Sequence, residues 1–193
     1  MYTDNFISAF NCSMLFEVGY FWNPNDIDVI NGSIDTPIKK KKVGYVDIDG
    51  DTGKCTKYGI SQASHPSVNI DTLTLADAQK IYYNEYWLSN SCDKMELDIA
   101  MFLFDTAINC GNKKASIMLQ QALGFSGDDV DGVLGPMTLN AIGHCDVHEL
   151  INKYSSLRIQ FYKNIVADNP SQSKFLSGWT SRVYALSNKI LNS

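Results

Sequence analysis

The sequence predicts a mainly helical (α+β) chain carrying one small antiparallel sheet towards its N-terminal end. Apolar residues recur at helical spacing in several long stretches, whereas period-two alternation is confined to a window around Asn31-Gly32. Helix-start chemistry stands where it should if those stretches are helices: Thr74-x-x-Asp77, Pro136 after Gly135, and Asp146-x-x-Glu149.

The first helix is expected over about residues 4–16, where Phe6, Ile7, Phe10 and Met14 fall on one face after Asp4. Glu17 ends it. Asp26-Ile27-Asp28-Val29 then alternates, and Asn31-Gly32 is the chemistry of a two-residue hairpin leading into Ser33-Ile34-Asp35-Thr36. Pro37 closes that strand, Lys39 to Lys42 form a solvated loop, and Val43 to Ile48 read as a third strand. A helix starts at Thr74 and runs to Tyr86-Trp87, with an aromatic cluster that belongs mostly to the core. Met95 to Ile108 is almost continuously apolar; its length and its Ala and Met content favour a buried helix over a strand. Asp105 and Asn109, four apart, share a face of it, which either satisfies core hydrogen bonds or points into a cleft. Gly111 breaks it, Lys113 to Leu123 follows as a helix stopped by Gly124, and Pro136 opens a short one. Asp146 caps a helix lined by Leu150, Tyr154, Leu157, Phe161 and Ile165, and Asn169-Pro170 separates it from a last helix carrying Trp179, Val183 and Leu186.

Composition narrows the function. A chain of 193 residues, 45% hydrophobic and 19% charged, is long enough to bury a real core. Its net charge of −5 supplies no field for nucleic acid, so no nucleic-acid partner is expected. The five cysteines, Cys12, Cys55, Cys92, Cys110 and Cys145, are odd in number and show no metal-ligand spacing with His65, His144 or His148. They read as reduced packing thiols of a protein made in a cytoplasm. No apolar run suits a transmembrane helix, and Met1-Tyr2-Thr3-Asp4-Asn5 lacks the basic start of a signal peptide. Asp47-x-Asp49-Gly50-Asp51 superficially resembles a calcium loop without the downstream bidentate Glu, and neither a nucleotide nor a zinc motif is present. No metal and no cofactor are therefore expected.

The chemistry-bearing stretch is Glu17-Val18-Gly19-Tyr20, taken with Asp49 to Gln62. A carboxyl at the end of an apolar helix meets apolar surface, where burial disfavours its charged form and suits it to general-acid work. The second segment brings acid, hydroxyl and glycine together, as the wall of a cleft needs. By itself, though, a Glu at a helix end is most simply a surface terminus.

These two segments belong to an ordered series. After them come Ile81-Tyr82 with Tyr86-Trp87, Phe104-Asp105 with Asn109-Cys110-Gly111, and Leu119-Gln120-Gln121-Ala122-Leu123-Gly124. Asp131-Gly132-Val133-Leu134-Gly135-Pro136-Met137-Thr138 and Gly178-Trp179-x-x-Arg182-Val183 complete it. Over nearly its whole length the chain thus resembles glycoside hydrolase family 108, the phage and prophage N-acetylmuramidases. The resemblance implies a lysozyme-like helical domain with the small sheet beside an active-site cleft. It implies a catalytic region over 1–110, extended by a β insertion at about 24–50, and a peptidoglycan-binding-like helical region over 111–193, packed into the same globule. The Asp-Gly-x-x-Gly-Pro-x-Thr signature fits such a wall-binding repeat, or equally a loop that orients two helices.

For the site, the resemblance implies Glu17 as general acid, with Thr56, Asp51 and Asp26 as candidates for the opposite face of the sugar. Asp51 and Thr56 match family positions, and Asp26 falls at a spacing seen in other phage lysozymes. A threonine hydroxyl orients a water that a carboxylate deprotonates; without such a carboxylate, the sugar's own hydroxyl closes a ring, as in lytic transglycosylases. Tyr20, Tyr58, Gln62 and Asn109 are the implied substrate contacts. The chain departs from the family pattern at Val18, Lys54 and Cys55, the last replacing an acid of some members. The expected function is cleavage of the β-1,4 bond between N-acetylmuramic acid and N-acetylglucosamine in bacterial peptidoglycan, by a monomeric phage endolysin. It would be made in the host cytoplasm, insert in no membrane, and reach the wall or periplasm through a holin or other export route. A non-catalytic wall-binding or secretion-assisting protein, or a chitin-directed glycosidase, are the alternatives.

Overall fold

The computed structural model describes residues 2–17, the backbone of 45–46, and residues 56–192. The elements in order are α1 (Asp4–Glu17), β1 (Tyr45–Val46), β2 (Thr56–Lys57), β3 (Ile60–Ser61), α2 (Leu75–Tyr82), α3 (Leu97–Cys110), α4 (Asn112–Ala122), α5 (Pro136–Ile142), α6 (Val147–Asp168) and α7 (Ser173–Leu191). The strands form one antiparallel sheet in the order β1-β2-β3. The fold is thus mainly helical with a small antiparallel sheet, as the residue patterns predict. The expected strands at 26–29 and 33–36, their Asn31-Gly32 turn and the lysine run lie outside the described residues; of the third expected strand, Tyr45–Val46 forms β1.

The chain divides into two compact units, Met1–Glu85 and Tyr86–Ser193. In the first, α1 turns Phe6, Phe10 and Met14 inward, the spacing read from the sequence. Phe10 meets Tyr82 of α2 edge-on, with ring centroids 5.5 Å apart, and Phe6 meets Tyr83 at 4.9 Å. α2 begins with a complete capping box: Thr74 Oγ1 accepts from the Asp77 amide, and the Asp77 carboxylate accepts from the Thr74 amide. Beyond Tyr82 the coil widens to a π-turn over Tyr83–Leu88, a change that no residue pattern announces.

The second unit is built on α3. Every residue from Ile99 to Ala107 is buried, because α4, α6 and α7 all pack on it. A helix covered on all sides has no polar stripe, which is why its period is invisible in the sequence. Asp146 caps α6 through its Oδ1, 2.8 Å from the Glu149 amide.

Candidate functional site

In the first unit, β2 and β3 are joined by Tyr58-Gly59, both at positive φ (53° and 77°). That is the two-residue hairpin whose turn matches the right-handed twist of its strands. The register pairs Lys57 with Ile60 and Thr56 with Ser61. Lys57 and Ile60 are buried at 4% and 2% exposure, so the opposite, half-buried face carries Thr56 and Ser61 side by side.

Gly59 is where three elements converge. The Tyr82 hydroxyl of α2 donates to the Tyr58 carbonyl at 2.9 Å. A β-carbon at position 59 would lie 2.5 Å from that hydroxyl oxygen and 3.2 Å from Oε2 of Glu17. Only a residue without a side chain lets the carboxylate at the end of α1 and the phenol of α2 close over the turn. Glu17, half-buried, is thereby set against the hairpin whose upper strand begins with Thr56.

A polar chain runs on from the same hairpin. Ser61 Oγ is 2.8 Å from Ser64 Oγ, Ser64 Oγ is 3.0 Å from His65 Nδ1, and His65 Nε2 is 3.0 Å from Glu85 Oε2. Sequence reasoning took in Ser61 only as part of the Asp49-to-Gln62 stretch, weighed His65 only as a metal ligand, and missed Ser64 and Glu85. Ser61 and Ser64 are ordinary loop residues by type, and His65 and Glu85 are joined only by folding.

The other expected site residues distribute as follows. Asp26, Asp51 and Tyr20 lie outside the described residues. The Tyr58 ring is buried at 3% exposure; burial pushes its phenol pKa up, and its hydroxyl has no hydrogen-bond partner among the described residues. The Gln62 amide nitrogen donates to the carbonyls of His65, Pro66 and Val68, bracing the loop after β3. Asn109, exposed on α3 in the second unit, accepts from the Tyr162 hydroxyl.

Its helical neighbour Asp105 takes the core role. The carboxylate is fully buried between Arg158 Nη1 at 2.8 Å and Arg182 Nη2 at 2.7 Å. Burial pushes its pKa up, but the two guanidiniums, Arg182 foremost, outweigh that and hold it below the usual carboxylate range. Arg158 also donates to Thr106 and to Tyr162, so the Arg-Asp pair continues to Asn109 as one network.

The Asp131-to-Thr138 loop is knitted by a single buried side chain. Gln120 Nε2 donates to Asp131 Oδ1 at 2.7 Å, to the Val133 carbonyl at 3.1 Å and to Thr138 Oγ1 at 3.4 Å, while its Oε1 accepts from the Gly132 amide at 2.8 Å. Beside this loop opens a polar pocket of about 470 Å³, lined among others by Asn90, Lys113, Ser116 and Val133. Among the described residues no cluster of His, Cys, Asp or Glu suits a metal ion.

The helical fold with its small sheet, the carboxylate at a glycine turn and the second helical unit are features of a chain whose two matching family profiles belong to peptidoglycan-directed glycoside hydrolases. The profile of Glycosyl hydrolase 108 matches residues 35–111, and that of a Predicted Peptidoglycan domain matches 114–184. Among solved structures the chain is similar to SagA of Brucella abortus: 31% identity, TM-score 0.66, over 77% of this chain and 86% of that one. No curated protein sequence matches it. The chain belongs to glycoside hydrolase family 108, with a C-terminal peptidoglycan domain, and its fold is mainly helical with a small antiparallel sheet. The family match begins after Glu17, so the case for that residue rests on its geometry and on the motif it heads.

Proposed function

We propose that the chain hydrolyses the β-1,4 bond between N-acetylmuramic acid and N-acetylglucosamine, with Glu17 as the general acid. The observation that carries this reading is the placing of the Glu17 carboxylate against the Gly59 turn, at the foot of the hairpin that bears Thr56. A carboxylic acid there gives its proton to the glycosidic oxygen as the C–O bond breaks, and a water on the far face of the ring attacks the anomeric carbon. The Thr56 hydroxyl orients that water. Residues 1–110 supply the chemistry and residues 111–193 hold the wall, for which the polar pocket beside Asp131 to Leu134 offers amide, hydroxyl and ammonium groups.

The biological setting we infer is a phage endolysin made in a host cytoplasm and passed to the wall by a holin or other export route. Cys12, Cys92, Cys110 and Cys145 are all thiols, which suits synthesis in a reducing compartment. No described helix is long and apolar enough to cross a membrane.

The test is Glu17→Gln, which keeps size and hydrogen bonding and removes the transferable proton. Turnover on purified cell walls is expected to fall by about 10²–10⁴-fold with an unchanged thermal melt. Mass spectrometry of the wild-type digest should show N-acetylmuramic acid at the new reducing ends. A folded variant as active as wild type removes Glu17 as the acid, and a folded wild-type chain that leaves walls uncleaved removes the muramidase reading and leaves a wall-binding role. Release of chitooligosaccharides in place of wall fragments would make the chain a chitin-directed enzyme.

A further inference from the structure

The hydrogen-bonded series Ser61–Ser64–His65–Glu85 can carry a proton in one direction. A carboxylate accepts only, so the imidazole proton facing Glu85 sits on Nε2, and Nδ1 of the neutral ring is an acceptor. The one hydroxyl proton of Ser64 has two acceptors in reach, the Ser61 carbonyl at 3.1 Å and His65 Nδ1 at 3.0 Å, and turning to Nδ1 leaves Ser64 Oγ to accept from Ser61 Oγ. Ser61 Oγ also accepts from the Ser64 amide at 3.2 Å, which leaves it one further lone pair. Ser61 is the residue directly across the hairpin from Thr56, on the same face. Directly paired side chains on one face of an antiparallel ladder have β-carbons about 4.5–5.5 Å apart, close enough for one water to touch both hydroxyls.

The fold gains little from this arrangement. The Glu85 side chain is 48% exposed, and an ion pair of that kind contributes about 0–1 kcal/mol. What the series does have is the form of a base held by a carboxylate and reached through hydroxyls.

We propose that His65, braced by Glu85, is the proton acceptor for the second face of the sugar, reached from Thr56 through Ser61 and Ser64. This rests on the muramidase reading above. In the step, a water held between Thr56 and Ser61 bonds through its oxygen to the anomeric carbon and passes one proton to Ser61 Oγ. Ser61 passes its own proton to Ser64, and Ser64 passes its own to His65 Nδ1. The glycosidic C–O bond breaks, and the leaving oxygen takes the proton of Glu17. One water is consumed; afterwards the imidazolium releases its proton to solvent and the Glu17 carboxylate regains one. Glu85 stays ionised throughout and stabilises the imidazolium.

The full chain is assayed on soluble, uncrosslinked glycan strands. His65→Ala is expected to lower kcat by about 10²-fold or more with KM changed less than about twofold, and added imidazole should restore part of the loss. Ser64→Ala, an exposed change, should lower kcat comparably and not respond to imidazole, because the series is cut before the base. Asp51→Asn and Asp26→Asn are measured alongside. Wild-type kcat in folded His65→Ala, or an imidazole response equal in His65→Ala and Ser64→Ala, overturns the relay. So does a loss confined to Asp51→Asn or Asp26→Asn. If Glu17→Gln is inactive while His65→Ala is not, the relay alone fails; a wild-type chain that leaves the strands intact overturns both readings.

Discussion

Glu17 and Gly59 are held so close that a single β-carbon at position 59 would stand 3.2 Å from the Glu17 carboxylate oxygen and 3.3 Å from its Cβ. The same β-carbon would stand 2.5 Å from the Tyr82 hydroxyl oxygen, closer than such atoms pack. The glycine at φ +77° therefore sets the position of the acid as well as the turn.

Gly59→Ala tests that coupling. Alanine strains the positive φ and displaces Tyr82, so the first unit should lose about 1–3 kcal/mol. Wall turnover should drop more than stability does, because the carboxylate is pushed off the hairpin. A variant that melts lower but turns over at the wild-type rate would show that Glu17 does not depend on this contact.

Thr56 separates hydroxyl chemistry from packing. Thr56→Ser keeps the oxygen and should retain most of the turnover, while Thr56→Val keeps the shape and should lose about tenfold or more through kcat. Equal rates for the two on soluble glycan strands would assign Thr56 to the strand alone.

How much of this was legible without coordinates differs from element to element. The face of α1 followed from Phe6, Phe10 and Met14, and both caps, Thr74 with Asp77 and Asp146 with Glu149, were written in local residue types. Local signals of that kind act over one turn of chain. The hairpin at Thr56 to Ser61 was not foreseen. Its strands are two residues long, too short for alternation, and its turn places a tyrosine at positive φ, where asparagine is the usual signal. For the site, Glu17 could be singled out by its motif, whereas the company of Gly59 and Tyr82 comes from packing between distant segments. Asp105 and Asn109 share a face, as read, yet only the arrival of Arg158 and Arg182 from α6 and α7 assigned Asp105 to the core.

Gln120 offers a test confined to the second unit. Gln120→Ala leaves the Gly132 amide and the Asp131, Val133 and Thr138 oxygens without their shared partner, a loss of about 1–3 kcal/mol. Hydrogen exchange should quicken across residues 131–138 first, and sedimentation with purified walls should fall. Undiminished wall binding with a loosened loop would move the wall contact elsewhere.

Acid sensitivity should trace to Asp105. Its folded pKa is held below the ordinary carboxylate value of about 3.9, so on acidification the unfolded chain takes up a proton before the folded one does. The stabilisation is therefore complete above that ordinary value, and it is lost progressively as pH falls towards and through the lower folded one. Asp105→Asn removes the titrating group and strands Arg158 and Arg182 with a neutral partner. At neutral pH this should destabilise the second unit by about 3–5 kcal/mol, the usual effect of breaking a buried ion pair from one side. The same substitution should flatten the acid limb of the urea-unfolding midpoint between about pH 5 and 2, because the proton uptake that drove it is gone. A midpoint that falls as steeply with acid in Asp105→Asn as in the wild type would place the acid sensitivity on other carboxylates and reduce this one to packing.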